Sequence, residues 1–477
     1  MNRFINRGNE LDFLERKFNT PDSQFIVLYG RRRVGKTELI KQFSENKNAL
    51  YLLADKRGTL LNLERFADKA AEHFNEVPSR VENFYDLFKY LYHHVTTEKY
   101  IISIDEFSYL IERDNTIPSV FQVIWDEYLH NKNIMLILCG SSISMMEEGA
   151  LTQSSPLYGR RTGQWKLESL KSYQIQEFYK GIDIERSIEF YSVLGGIPLY
   201  LFEFDPEKNV FENIQEHILT KGKILYEEAE TLLKEELKEY YLYVSIFEAI
   251  AKGKNRQVEI SDYSKISQKD LPKFVSTLMK LELIGKEHPI TEKETSKKTR
   301  YFIKDNFFRF YFKYIYPNKT ELESGKIDTI ISRIKTDFES FVGFEFENIA
   351  RDFLLKPDTI EKLPFSINKI GRQWGKIKGA PKGKNTYEID IVALEESRNQ
   401  ILFVEGKWKT LSMNSAFHLL NKLEDTSNFI QWDHDVKNRY FCLIAKRIEE
   451  KAVLRNKGYL VFDLDDFQFT NNELHLA

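Results

Sequence analysis

The sequence predicts an α/β protein of several domains: a parallel-sheet core, a mainly helical middle and a second, smaller α/β module. Three observations carry that expectation. An apolar run, Phe25–Tyr29, leads through a glycine-bearing loop into a helical stretch, Glu38–Phe43. Two more apolar runs, Tyr100–Phe107 and Ile134–Cys139, have the length and composition of strands buried on both faces. A further strand pair, Tyr387–Leu394 and Gln400–Lys407, follows a long helical middle. At 477 residues the chain has room for about three domains.

The loop reads Gly30-Arg31-Arg32-Arg33-Val34-Gly35-Lys36-Thr37 and fits the G-x-x-x-x-G-K-[ST] phosphate-loop pattern in its strand–loop–helix setting. Its glycines let backbone N–H groups turn onto a polyphosphate at a helix N-terminus. Lys36 is expected to reach the β- and γ-phosphates and the Thr37 hydroxyl to ligate Mg²⁺, so a nucleoside triphosphate is the expected ligand. Arg31, Arg32 and Arg33 fit either neutralisation of the triphosphate or contact with a neighbouring domain.

The second run ends in Asp105-Glu106. In a parallel sheet that end faces the ligand crevice. Asp105 is expected to hold Mg²⁺ through water, and Glu106 to polarise the attacking water. The third run ends in Gly140-Ser141-Ser142; Ser142 is the candidate to touch the γ-phosphate or the water, and a plain strand-end turn explains both serines equally well.

These residues resemble the archaeal-type ATPases of the STAND/AAA+ branch of P-loop proteins, over most of the chain. Phe4–Leu11, through Arg7, Glu10 and Leu11, is similar to that family's N-terminal motif. Gly159-Arg160-Arg161 and Gly195-Gly196-Ile197-Pro198 resemble its two later elements. The resemblance implies ATP as the nucleotide, Arg160 or Arg161 as a γ-phosphate contact, and Pro198 near the adenine. It implies an ATPase core over 1–168 and a helical lid over 169–235.

From Tyr240 the periodicity predicts helices at Tyr243–Lys252, Asp262–Ile266 and Lys269–Leu283, then strands at Ile284–His288 and Lys298–Ile303 around a polar tip, Thr291–Lys297. Three helices and a hairpin make a winged helix-turn-helix, used on DNA and also as a rigid interdomain element. Between Lys252 and Lys304 there are 13 Lys/Arg against 7 Asp/Glu, a surplus compatible with phosphate contacts and equally with a structural role. The aromatic block Asn306–Tyr316 is apolar nearly all round, which predicts core; a stacking platform for single strands is the alternative. The winged-helix module with this block is expected over 236–316, and 317–335 reads as a linker.

The last module, 336–477, carries a helix, Phe338–Ala350, with Glu347 near its middle, followed by the strand pair with Asp390 in the first strand and Glu405 and Lys407 two apart in the second. Period-two geometry puts Glu405 and Lys407 on one face, and antiparallel pairing can bring Asp390 beside them. The pattern Glu…Asp…Glu-x-Lys resembles the PD-(D/E)XK, restriction-endonuclease-like fold. Asp390 and Glu405 are then first ligands of Mg²⁺, Glu347 an auxiliary one, and Lys407 the group that positions or activates the water. The Lys369–Lys384 stretch between helix and hairpin holds six basic residues and no acidic one; it reads as a Gly-rich loop suited to a DNA backbone, or as a solvated surface.

Net charge is −3, so any nucleic-acid surface must be local. No apolar run approaches the roughly 20 residues of a membrane span, and the N-terminus lacks a signal-type stretch; a cytoplasmic location without membrane contact is expected. Cys139 and Cys442 lie in apolar runs and predict buried free thiols. Self-association is compatible with all of this. Two functions remain in view: an ATP-hydrolysing switch coupled to DNA binding and phosphodiester cleavage, and a non-catalytic nucleotide-gated regulator or scaffold with a vestigial nuclease fold.

Overall fold

Strands β1 (Gln24–Tyr29), β2 (Ala49–Leu53), β3 (Tyr100–Asp105), β4 (Ile134–Gly140) and β5 (Gly163–Lys166) form one sheet in the order β2-β3-β4-β1-β5. Every pairing in it is parallel. β3 and β4 are buried along their whole length, which is why their sequences run apolar without alternation. The computed structural model describes residues 4–467 except 79, 96, 97, 295, 297, 382, 431 and 433–437.

The chain divides into two compact units. One contains the parallel sheet and runs to Leu170, with Ile197–Leu199 joined to it; the other holds Lys171–Gly196 and the chain from Tyr200 on. Most of the expected lid, the winged-helix region and the C-terminal region fall in the second unit, while Ile197–Leu199 of the lid fall in the first.

Within that unit, helices Tyr240–Ala251, Gln257–Ser264 and Leu271–Lys280 precede an antiparallel hairpin, β6 (Ile284–Glu287) and β7 (Arg300–Ile303). The middle helix lies upstream of its predicted span. The Glu259 carboxylate accepts the Arg256 backbone N–H at 3.1 Å, and the helix stops at Lys265, whose φ is 61°. Thr295 and Lys297 of the predicted tip lie outside the described residues.

The predicted linker is also corrected. Residues 317–335 hold a short helix, Lys319–Glu323, and the start of a 28-residue helix, Ile327–Leu354. Ile330, Ile331 and Ile334 are buried there, a helical spacing hidden among polar neighbours.

The aromatic block is core. Phe307, Phe308, Phe310, Tyr311, Phe312 and Ile315 are almost fully buried. Phe312 stacks on Phe247 with centroids 4.7 Å apart; Phe307 meets Tyr200 at 5.0 Å and Phe310 meets Phe341 at 5.6 Å. Its rings tie three helical segments together, so no face is left for nucleobases.

The second sheet has the order β12-β11-β10-β9-β8, with β8 at Lys369–Lys376, β9 at Thr386–Glu395, β10 at Gln400–Leu411, β11 at Asn438–Ile448 and β12 at Leu460–Phe462. β8, β9 and β10 are antiparallel neighbours, whereas β10, β11 and β12 run parallel. Helices Ile327–Leu354 and Met413–Ser427 pack on it. Half of the predicted basic loop is thus the edge strand β8. Both cysteines are buried and free, and no helix among the described residues is long and apolar enough to cross a membrane.

Phe247→Ala should cost about 3–5 kcal/mol, because it removes a fully buried ring at the stacked centre of the aromatic block. A denaturant melt followed in the second unit would show this as a lower midpoint; a change under about 1 kcal/mol would place the block outside the cooperative core.

Candidate active site

A parallel sheet brings the C-terminal ends of β1, β3 and β4 to one edge, and the sequence sets its chemistry there. The phosphate loop leaves β1 at Gly30, whose φ is 152°. A Cβ at that position would stand 2.3 Å from the Leu167 carbonyl oxygen, so only glycine fits. Gly35 takes φ 96° and caps the helix Lys36–Ser44. Arg7 is buried and donates from one guanidinium nitrogen to the Val34 carbonyl at 2.9 Å while pairing with Glu10 at 3.0 Å. The N-terminal motif is therefore a brace on the loop's backbone.

Lys36 is buried and donates to the carbonyls of Gly30 and Arg31, each at 2.8 Å. Burial draws its pKa below the ordinary lysine value. Among the three arginines, Arg32 donates to the Tyr109 hydroxyl at 3.0 Å, and Arg33 holds a positive φ of 68°.

Thr37 donates its hydroxyl to Asp105 Oδ2 at 2.6 Å. Tyr51 of β2 donates to the same oxygen at 2.7 Å, and the Glu106 backbone N–H donates to Asp105 Oδ1 at 2.9 Å. Glu106 sits at φ 55°, a conformation that turns the chain sharply at the strand end. Its carboxylate accepts from Ser141 Oγ at 2.7 Å. The serine that reaches the acid is Ser141; Ser142 precedes the helix Ile143–Met146 and makes no side-chain cap.

The arginines proposed for the γ-phosphate are elsewhere. The Thr162 N–H donates to Phe25 O at 2.8 Å, which fixes Arg160 and Arg161 near the start of β1. The phosphate loop leaves the other end, roughly 16 Å away at strand rise. Arg160 is paired with Asp126 at 2.7 Å, and Arg161 donates to the Ala150 and Leu151 carbonyls at 2.9 Å. Neither can touch a phosphate held in its own loop. Pro198 opens the helix Pro198–Glu203.

In the second unit Lys407 Nζ lies 3.1 Å from Asp390 Oδ2 and 2.7 Å from Glu405 Oε1. Both carboxylates reach one ammonium, so they share a face, and the Gly406 N–H adds a 3.3 Å bond to Asp390. Burial works against the Lys407 charge, but the two acids outweigh it and raise its pKa. Burial, then the Asp390 charge, raises the Glu405 carboxyl.

Glu347 lies beside this set: burial, then the Asp390 charge, raises its pKa to about 8, and its carboxylate pairs with Arg372. Among the described residues no group of three or more His, Cys, Asp or Glu side chains is close enough to hold a metal ion. Arg372 sits at a register shift between Gly371 and Gln373. Such a bulge re-aims a side chain, and here its carbonyl accepts the Ile290 N–H at 2.9 Å while its guanidinium lies 3.9 Å from Glu287 of β6.

The hairpin is further tied down by Arg300, 3.0 Å from Glu388 and stacked over Trp374 at 4.3 Å. Of the basic stretch, Lys369 pairs with Glu396 at 2.7 Å and Trp374 is buried. Lys376, Lys378 and Lys384 are exposed, and Lys382 lies outside the described residues. The predicted continuous polyanion loop is therefore reduced to its C-terminal half. Sequence reasoning missed Tyr51, Ser141 and Arg372, since their roles depend on pairing across strands.

Comparison with known proteins follows this geometry. A family model described as an ATPase domain predominantly from Archaea matches residues 4–204. A second, describing archaeal and bacterial proteins of unknown function, matches 311–419. An uncharacterised protein of Methanocaldococcus jannaschii is 37% identical over 464 residues, covering 97% of this chain and 100% of that one. An uncharacterised ATP-binding protein of the same organism is 66% identical over 44 residues, 9% of this chain and 75% of its own length. The Walker-type ATPase of Pyrococcus abyssi is 22% identical with a TM-score of 0.47, over 65% of this chain and 96% of that one. The chain belongs to the family of the full-length M. jannaschii relative and carries the archaeal ATPase domain.

Gly30→Ala should lower nucleotide affinity by at least about tenfold, since the added Cβ forces the loop off the Leu167 carbonyl. Calorimetric titration with ATP measures it; parental affinity would mean that the loop tolerates the shift.

Proposed function

We propose that this protein, with its ATPase domain, is an ATP-hydrolysing switch coupled to a DNA-binding second unit with a PD-(D/E)XK-like phosphodiester site. The observation that carries the first half is the 2.6 Å bond from Thr37 to Asp105 at the exit of the phosphate loop. It couples loop and acid strand through two hard oxygen donors, a fit for Mg²⁺. When bound, Mg²⁺ would neutralise charge on the β- and γ-phosphates. Lys36 would leave its two carbonyl partners for the phosphates, and Glu106 would orient the attacking water.

The second half rests on Asp390, Glu405 and Lys407, which meet at one point, and on the three helices and hairpin of residues 240–303, which we read as a winged helix. The exposed Lys376, Lys378 and Lys384 are the surface we assign to a nucleic-acid backbone. One observation favours a non-catalytic regulator instead: Lys407 pairs with both acids and Arg372 holds Glu347, a self-neutralised set.

Lys36→Ala should cut ATP affinity by roughly tenfold or more, while Glu106→Gln should keep affinity and lose turnover. Equal affinity of parent and Lys36→Ala by calorimetry would overturn the phosphate-loop assignment.

Asp390→Asn should weaken Mn²⁺ binding by at least about tenfold, since an amide is a poorer hard-cation ligand than a carboxylate. Lys407→Ala should retain the ion and abolish plasmid nicking. A parent protein that neither binds Mn²⁺ in this unit nor nicks DNA leaves the regulator reading in place.

A further inference from the structure

Asp105 and Glu106 stand side by side at the end of β3, and each is held by a hydroxyl from a different flanking strand. β4 supplies Ser141, at its end, to Glu106. β2, on the other flank, supplies Tyr51 to Asp105. The register pairs Leu53 with Asp105 and Tyr51 with Ser103. Tyr51 therefore lies one pleat back on the face shared with Asp105, and its length carries the phenol up to the carboxylate.

We infer that Tyr51 is a positioning residue of the ATPase site, which fixes the Asp105 carboxylate on the side of the divalent cation. Thr37 and Tyr51 both bond Oδ2, and the Glu106 N–H bonds Oδ1, with the Cys139 side chain also within hydrogen-bond reach of the carboxylate. These partners hold both carboxylate oxygens in fixed places for the hydration shell of Mg²⁺. The Thr37 hydroxyl donates to Asp105 and also lies within hydrogen-bond reach of the Tyr51 phenol, so the phenol touches both cation-side residues.

Carboxylate torsions are broad and roughly two-fold, so without the phenol Asp105 can swing and offer a different oxygen. Phenylalanine would fill the same space on the edge strand, which makes the hydroxyl separable from the ring.

The two flanks thus divide the work. Tyr51 governs how much the cation adds to nucleotide binding, and Ser141 governs the acid that acts on water. This rests on Thr37 and Asp105 being the cation-side residues.

The experiment is calorimetric titration of the full chain with ATP, once in EDTA and once in excess Mg²⁺, for the parent, Tyr51→Phe, Ser141→Ala and Asp105→Asn. For Tyr51→Phe the affinity in EDTA should stay within about twofold of the parent, and the gain on adding Mg²⁺ should shrink about fivefold or more. Ser141→Ala should keep the full Mg²⁺ gain and lose turnover. Adding Tyr51→Phe to Asp105→Asn should lose less than Tyr51→Phe loses in the parent, because most of the phenol's effect passes through that carboxylate and the rest through Thr37.

An undiminished Mg²⁺ gain in Tyr51→Phe would overturn the proposal, as would an equal loss in EDTA, which marks mere packing. A parent with no Mg²⁺ gain at all would instead defeat the cation-side reading of Thr37 and Asp105.

Discussion

The buried carboxylate of Asp105 is the constraint around which the ATPase unit is organised. It is 1% exposed, and a charge so placed must be matched by donors. The donors include the helix start after the β1 loop, the edge strand β2 and the backbone of the next residue, with Cys139 of β4 in reach as well. Each can reach Asp105 only if the strands are parallel, in register and ordered β2-β3-β4-β1. The sheet topology and the site are therefore one requirement seen twice. The loop itself is fixed from the other side by Arg7 on Val34 and by the close approach of Leu167 to Gly30.

The second unit follows a different rule. Its centre is aromatic, with Phe247, Phe308 and Phe312 packed together and Phe310 against Phe341. Offset ring packing of this kind contributes beyond area burial. It joins the helical middle to the helix Ile327–Leu354, which carries Glu347. Arg309 is buried against the same rings, 4.4 Å from Phe341, and pairs with Glu345 at 3.5 Å. The aromatic block is in this way tied to the helix that carries Glu347.

Arg372 is the corresponding junction at the sheet edge. Its bulge gives one carbonyl to the hairpin and its side chain to Glu347 and Glu287. Burial opposes its charge, but Glu347 and Glu287 outweigh that and raise its pKa. The hairpin is tied to this edge by Arg300 as well, so its basic side chains are not all free for phosphate. Local charge counts along the sequence register every lysine and arginine alike; the fold spends some of them on carboxylates.

By itself the sequence determined the phosphate loop, the acid pair after β3 and the Asp390, Glu405 and Lys407 set. Those depend on short spacings: a glycine that tolerates its φ, a strand of uniform apolarity, two residues on one pleat face. It also determined that the aromatic block is core, because no polar face exists along it. What only the tertiary structure decided is which distant groups meet. Ser141 meets Glu106, Tyr51 joins Asp105, and Arg160 and Arg161 sit at the far end of β1 because β5 pairs in parallel with it. Residues 317–335 became helix because buried isoleucines outweighed their polar neighbours. Half of the basic stretch became an edge strand because β9 offered it a partner. Hydrogen-bond partners across strands carry no local signature, since register and strand order are set by the whole sheet.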